Sequence, residues 1–76
     1  MKMLFYKYQD KGYVINIENL LVEFTHEDEK VIVFINSPGD YAKIIHMDLD
    51  LFKKFIEFLS TSQKTFYIGD SFDEQP

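Results

Sequence analysis

Short runs of apolar residues, most of them alternating with polar ones, fill the first part of the chain. Residues 3–8 are rich in aromatic and apolar side chains, and residues 13–17, 20–25 and 41–47 alternate. Alternation with a period of two is typical of strands that bury one face. The continuous β-branched and aromatic run over residues 31–35 predicts a central strand buried on both faces. The pattern therefore predicts five strands.

Turn-forming residues separate these runs. Residues 9–12 and 27–30 predict tight turns, with Gly12 taking a positive φ in the first of them. Pro38 and Gly39 predict a type II turn, because Pro presets φ at the first central position and Gly accepts a positive φ at the second. Such short connections favour an antiparallel meander.

The period becomes helical after Asp48, which is a good N-cap, and Asp50 places a negative charge in the first turn. On a helix over residues 49–60, the apolar side chains fill an arc of roughly 160°. They are Leu51, Phe52, Phe55, Ile56, Phe58 and Leu59. The pattern also allows, without requiring it, a sixth strand over residues 64–68. The predicted fold class is α+β, an antiparallel meander of about five strands with one amphipathic helix packed on one face.

The length and composition limit what such a chain can be. With 76 residues it forms one domain, which we assign to residues 1–68, and we expect the acidic residues 69–76 to form a frayed tail. Cys is absent, so the chain has no disulfide and no thiolate ligand. Its first residues lack the apolar core of a signal peptide, and no apolar run could span a bilayer. We expect a cytoplasmic protein without a membrane partner.

The charge balance bears on the kind of partner. The net charge is −5, and all eight basic residues are Lys. Direct binding to nucleic acid requires a basic surface that releases counterions, so this balance argues against it. An acidic domain is better suited to another protein with a basic surface.

The polar clusters do not predict an enzyme. His46 stands near Asp48 and Asp50, and His26 precedes the acidic residues 27–29. Helix capping already accounts for Asp48 and Asp50, and the acidic run is ordinary at a hairpin tip. No spacing matches a known metal or nucleophile motif. We therefore expect no catalytic residue, no metal and no cofactor.

The main functional hypothesis comes from surface area. A helix of about 12 residues is ~18 Å long and can cover only one face of a small sheet. Leu21, Ile32, Phe34 and Ile44, or the set of opposite parity, then point away from the helix. The sheet could curl over itself, the terminal strands could fold across, or a partner could cover that face.

The preferred hypothesis is a non-catalytic protein-interaction module, such as a small acidic inhibitor or adaptor encoded by a phage or a bacterium. One alternative is a homodimeric structural or accessory protein. Another is an inhibitor that mimics nucleic acid, with carboxylates at residues 27–29, Asp70, Asp73 and Glu74 standing for phosphates. Tyr is enriched at interfaces. The predicted partner-binding residues are Tyr6, Tyr8, Glu27, Asp28, Glu29, Ile32, Phe34 and Tyr41.

Overall fold

The structure, a computed structural model, describes residues 1–68, so the predicted tail over residues 69–76 lies outside the described part. Its elements are β1 (Met3–Tyr8), β2 (Lys11–Asn16), β3 (Leu21–Glu27), β4 (Lys30–Asn36), β5 (Lys43–Asp48), α1 (Leu49–Ser60) and β6 (Thr65–Tyr67). The fold is therefore α+β, as the sequence predicts. The strands form two three-stranded sheets, ordered β2-β1-β6 and β3-β4-β5.

Each sheet belongs to its own compact unit. The first unit comprises Met1–Glu18 together with the described residues from Glu57 onward, and the second comprises Asn19–Ile56. The first part of α1 belongs to the second unit and its last turn belongs to the first. The assignment of residues 1–68 to one domain stays a prediction. Within residues 1–68, no helix has the length and apolar character needed to cross a membrane.

The first sheet begins with a tight hairpin. Gln9 and Asp10 both have positive φ, and Tyr8 pairs with Lys11, so these two residues form the whole turn. Positive φ at both central residues suits the right-handed twist of the strands. The expectation that Gly12 takes the positive φ is wrong, because Gly12 already lies in β2, opposite Lys7.

The sixth strand is present and joins this sheet by a parallel pairing, which an antiparallel meander does not contain. β6 pairs in parallel with β1, with Leu4 opposite Phe66. Leu4 is fully buried and also pairs with Ile15 of β2. The ring of Phe58, from the last turn of α1, stacks on Phe66 at 5.3 Å. The last turn of the helix thereby packs on the face of the sheet that carries Leu4.

The second sheet is the expected antiparallel meander, with β4 at its centre. Val31, Val33 and Ile35 of this strand are buried, whereas Ile32 and Phe34 are half-buried. The predicted burial on both faces is therefore complete on one face only. The Pro38–Gly39 turn is confirmed, since Gly39 has φ +74° and the Asp40 N–H donates to the Ser37 carbonyl at 3.2 Å.

The strand after this turn starts at Lys43, two residues later than predicted. The Asp40 carboxylate accepts a hydrogen bond from the Tyr41 N–H at 2.8 Å. A local side-chain bond of this kind competes with the sheet ladder for the backbone donor. Tyr41 is consequently held outside the sheet.

Helix α1 has the predicted limits and the predicted cap. Asp48 Oδ1 accepts from the Leu51 N–H at 2.8 Å, which satisfies one of the free donors of the first turn. In the second unit, the Phe52 ring lies 4.8 Å from that of Phe24, which shares the parity of the buried residue Val33. Ile56 is 39% exposed, so the buried arc is narrower than the predicted one.

Candidate binding surface

The second sheet leaves one face open to solvent. Residues directly opposite each other on antiparallel strands point to the same side. The pairs Glu23–Phe34 and Phe34–Ile44 therefore lie on the side opposite to Val33. We call this side the open face; its residues are Leu21, Glu23, Thr25, Ile32, Phe34, Asn36, Ile44 and His46, with Glu27, Lys30 and Asp48 in the row at its end.

The open face is largely apolar at its centre. Ile44 is 53% exposed opposite the half-buried side chain of Phe34, Ile32 is half-buried in the next row of the central strand, and Leu21 is 62% exposed in the row beyond Phe34. These four residues are one of the two sets that the sequence left open for the side facing away from the helix. Apolar side chains clustered on one surface mark sites of interaction more often than isolated ones do.

A polar contact orders one margin of the open face. The Asn36 side-chain amide donates to the Leu21 carbonyl at 3.1 Å and to Glu23 Oε1 at 3.0 Å. These bonds fix the Glu23 carboxylate beside Phe34, its cross-strand neighbour. The face therefore presents a positioned negative charge next to an aromatic ring.

Acidic residues also lie at the β3–β4 end of the sheet. Glu27, Asp28 and Glu29 are all exposed at the turn, where Asp28 has φ 55°. The neighbouring cation is Lys30, which lies in the last cross-strand row with Glu27 and Asp48. Carboxylates outnumber ammonium groups there, so the local charge is negative.

The structure separates the predicted partner-binding residues. Ile32 and Phe34 lie on the open face, and the three acidic residues lie at its end. Tyr41 is 91% exposed beside Asp40, outside the strands. Tyr8 is 51% exposed and belongs to the first unit.

Tyr6 offers little surface to a partner. It is 7% exposed, and its ring stacks on Tyr13, its cross-strand neighbour, at 5.1 Å. Leu21 and Ile44 contribute more surface than Tyr6, yet they are missing from the predicted partner-binding set. The sequence signal that could have added both residues to this set is their place with Phe34 among the residues predicted to share one side of the sheet.

The two His residues lie on opposite sides of the second sheet. His26 pairs with Val31 and His46 pairs with Ile32, and adjacent residues of a strand point in opposite directions. The sheet therefore keeps the two imidazoles apart. Within residues 1–68, no group of three or more His, Asp or Glu side chains is placed to hold a metal ion.

A shallow apolar depression of about 360 Å³ lies on the first sheet. The Phe5 and Tyr67 rings stack there at 4.6 Å with an interplanar angle of 18°. Its lining consists of Phe5, Tyr6, Lys7, Gly12, Tyr13, Val14 and Tyr67. The residue pattern did not predict this feature, because it indicated a turn at Gly12 and not a strand.

No protein-family model, curated protein or solved structure matches this chain.

Proposed function

We propose that the protein is a non-catalytic interaction module that binds another protein through the open face of its second sheet. The observation that carries this proposal is the exposure of Leu21 and Ile44 beside Phe34 on that face. Burying such residues against a partner removes apolar area from water, which stabilises the complex by about 25 cal/mol per Å² of buried area. An inhibitor or an adaptor would use the surface in this way.

Charge favours a partner of a particular kind. Glu23 lies on the open face, and Glu27, Asp28 and Glu29 lie at its end. A second copy of the chain laid against the same face would bring these carboxylates together, which is unfavourable. The partner is therefore a protein whose surface carries apolar side chains bordered by Lys or Arg.

The test begins with capture of partners from the native host. Leu21→Ser and Ile44→Ser should each abolish capture of a specific partner while leaving the melting temperature nearly unchanged, because both residues are exposed. Leu49→Ser is the control, since it changes the same kind of side chain as Leu21→Ser at a position that is 36% exposed and outside the open face. Capture that survives both open-face substitutions would contradict the proposal.

Two further measurements separate the alternatives. Raising the salt concentration should weaken the complex, because exposed charges are screened within about 10 Å at 0.1 M ionic strength. Light scattering at micromolar concentration should give the mass of a monomer. A dimer that Ile44→Ser dissociates would replace the proposal with the homodimer.

A further inference from the structure

The first sheet has an unpaired edge along β2. The Ile17 N–H donates to the Lys2 carbonyl at 2.8 Å, and Tyr8 pairs with Lys11, so the odd-numbered residues of β2 bond to β1. The backbone groups of Gly12 and Val14 then point away from β1. Among residues 1–68, no other strand pairs with this edge.

This edge has few features that discourage pairing. Proteins commonly protect an edge strand with Pro, with a bulge or with charged side chains. β2 contains no Pro, and its charged residue is Lys11, at the start of the strand beside the turn. Its centre, from Gly12 to Ile15, is uncharged and largely exposed. An extended peptide could therefore add to it as a further strand.

The depression on the same sheet lies where such a strand would place a side chain. Gly12 and Val14 belong to its lining and to the open edge. A Cβ atom built on Gly12 would meet nothing within 4 Å, so the missing side chain leaves space rather than avoiding a clash. An aromatic ring from an adjacent strand packs well over a glycine at an edge.

The charge of the depression differs from that of the whole chain. Its lining contains one charged residue, Lys7, in a protein of net charge −5. A carboxylate two positions from the aromatic residue would lie on the same face of an added strand. That carboxylate could approach the Lys7 ammonium.

We propose that the β2 edge and the depression together form a second binding site, for an extended acidic-aromatic peptide of another protein. The peptide adds as a strand beside Gly12 and Val14, and its aromatic side chain packs over Gly12 at the β2 side of the depression, directed toward Phe5. Main-chain hydrogen bonds supply affinity, and the depression supplies selectivity. This site lies entirely in the first unit and is independent of the open face.

The test uses synthetic peptides on the full chain. The probe is acetyl-Thr-Val-Asp-Thr-Xaa-Thr-Val-Thr-amide, with Phe, Tyr or Trp at Xaa. Amide NMR shifts should concentrate at Gly12, Val14 and Lys7, and Ala at Xaa should weaken binding at least tenfold. The absence of shifts at Gly12 and Val14 with all three peptides at millimolar concentration would overturn the proposal.

Protein variants locate the site. Gly12→Val fills the depression and should weaken binding at least tenfold, with a melting curve that shows the fold intact. His26→Val is the control, since it places the same side chain at an exposed strand position of the other sheet, outside the open face. Equal binding by Gly12→Val would refute the site. Shifts at Gly12 and Val14 that grow with protein concentration, without any peptide, would assign the edge to a second copy instead.

Discussion

The Lys2 ammonium lies 4.9 Å from the centre of the Phe58 ring and donates a hydrogen bond to the Phe58 carbonyl. It also donates to the carbonyls of Thr61 and Gln63. The last turn of α1 contains no basic residue of its own. Lys2 is distant from the helix in sequence, and it supplies the cation that a helix C-terminus favours.

Replacing Lys2 with Met should lower the free energy of unfolding by about 1–2 kcal/mol, because charge-assisted hydrogen bonds to carbonyls in the last turn of α1 and just after it are lost. Chemical denaturation measures this change. Lys64→Met is the control: it removes the same charge from an exposed side chain and should change stability by less than about 0.5 kcal/mol. Equal effects of the two substitutions would show that net charge, and not the contacts of Lys2, matters.

Phe55 is completely buried on the helix, so Phe55→Ala should cost about 3–5 kcal/mol. A loss of this size would unfold most of the protein, since small domains have little stability to spare. Ile56→Ala is a matched comparison on the same helix and should cost far less, because Ile56 is already 39% exposed. A thermal melt of Phe55→Ala that matches the wild type would show that the helix faces another way.

The two glycines should respond differently to Ala. Gly39 has φ +74°, a region that disfavours a Cβ atom, so Gly39→Ala should cost about 1–2 kcal/mol. Gly12 lies in a strand without a positive φ, and its added Cβ meets open space, so Gly12→Ala should be neutral or stabilising. Urea denaturation of both variants compares them directly, and a costly Gly12→Ala would contradict the described hairpin.

The hydrogen bond from the Tyr41 N–H, followed by the Lys43 ammonium at 3.3 Å, holds the pKa of Asp40 below its ordinary value of 3.8. A lowered pKa in the folded state means that this stabilisation is present above pH 3.8 and is lost as the pH falls through the lowered pKa. Lys43→Met should raise the pKa only part of the way, because the larger cause is the backbone bond.

Carboxyl ¹³C NMR titration measures this pKa. Lys53→Met removes a Lys of α1 and should leave the pKa of Asp40 unchanged. Full return of the pKa to its ordinary value in Lys43→Met would mean that the Tyr41 bond contributes nothing.

Local chemistry made part of this structure predictable. The Asp48 cap, the limits of α1 and the Pro38–Gly39 turn all depend on residues close in sequence. The two-residue period of the strands also places Phe34 and Ile32 on one side whichever strands pair.

The remaining features depend on pairing between distant residues. Nothing local shows that β6 joins β1, or that the strands divide into two sheets. Alternation also leaves open which parity is buried, which explains why Tyr6 was expected at the surface although Phe5 is the more exposed of the two. To predict the depression at Gly12, one must know both the register of β1 with β2 and that the other edge of β2 is unpaired.

The parallel pairing of β1 with β6 also determines when the first sheet can form. Met3 lies opposite Thr65, so the chain must be synthesised as far as β6 before β1 gains this neighbour, whereas the second unit is one continuous segment. Contacts between distant residues form slowly because closing a long loop costs entropy. We expect pulsed hydrogen exchange during refolding to protect Val33 and Ile45 before Phe66 and Ile68. The segment that carries the open face would then be ordered before β1 and β6 have paired.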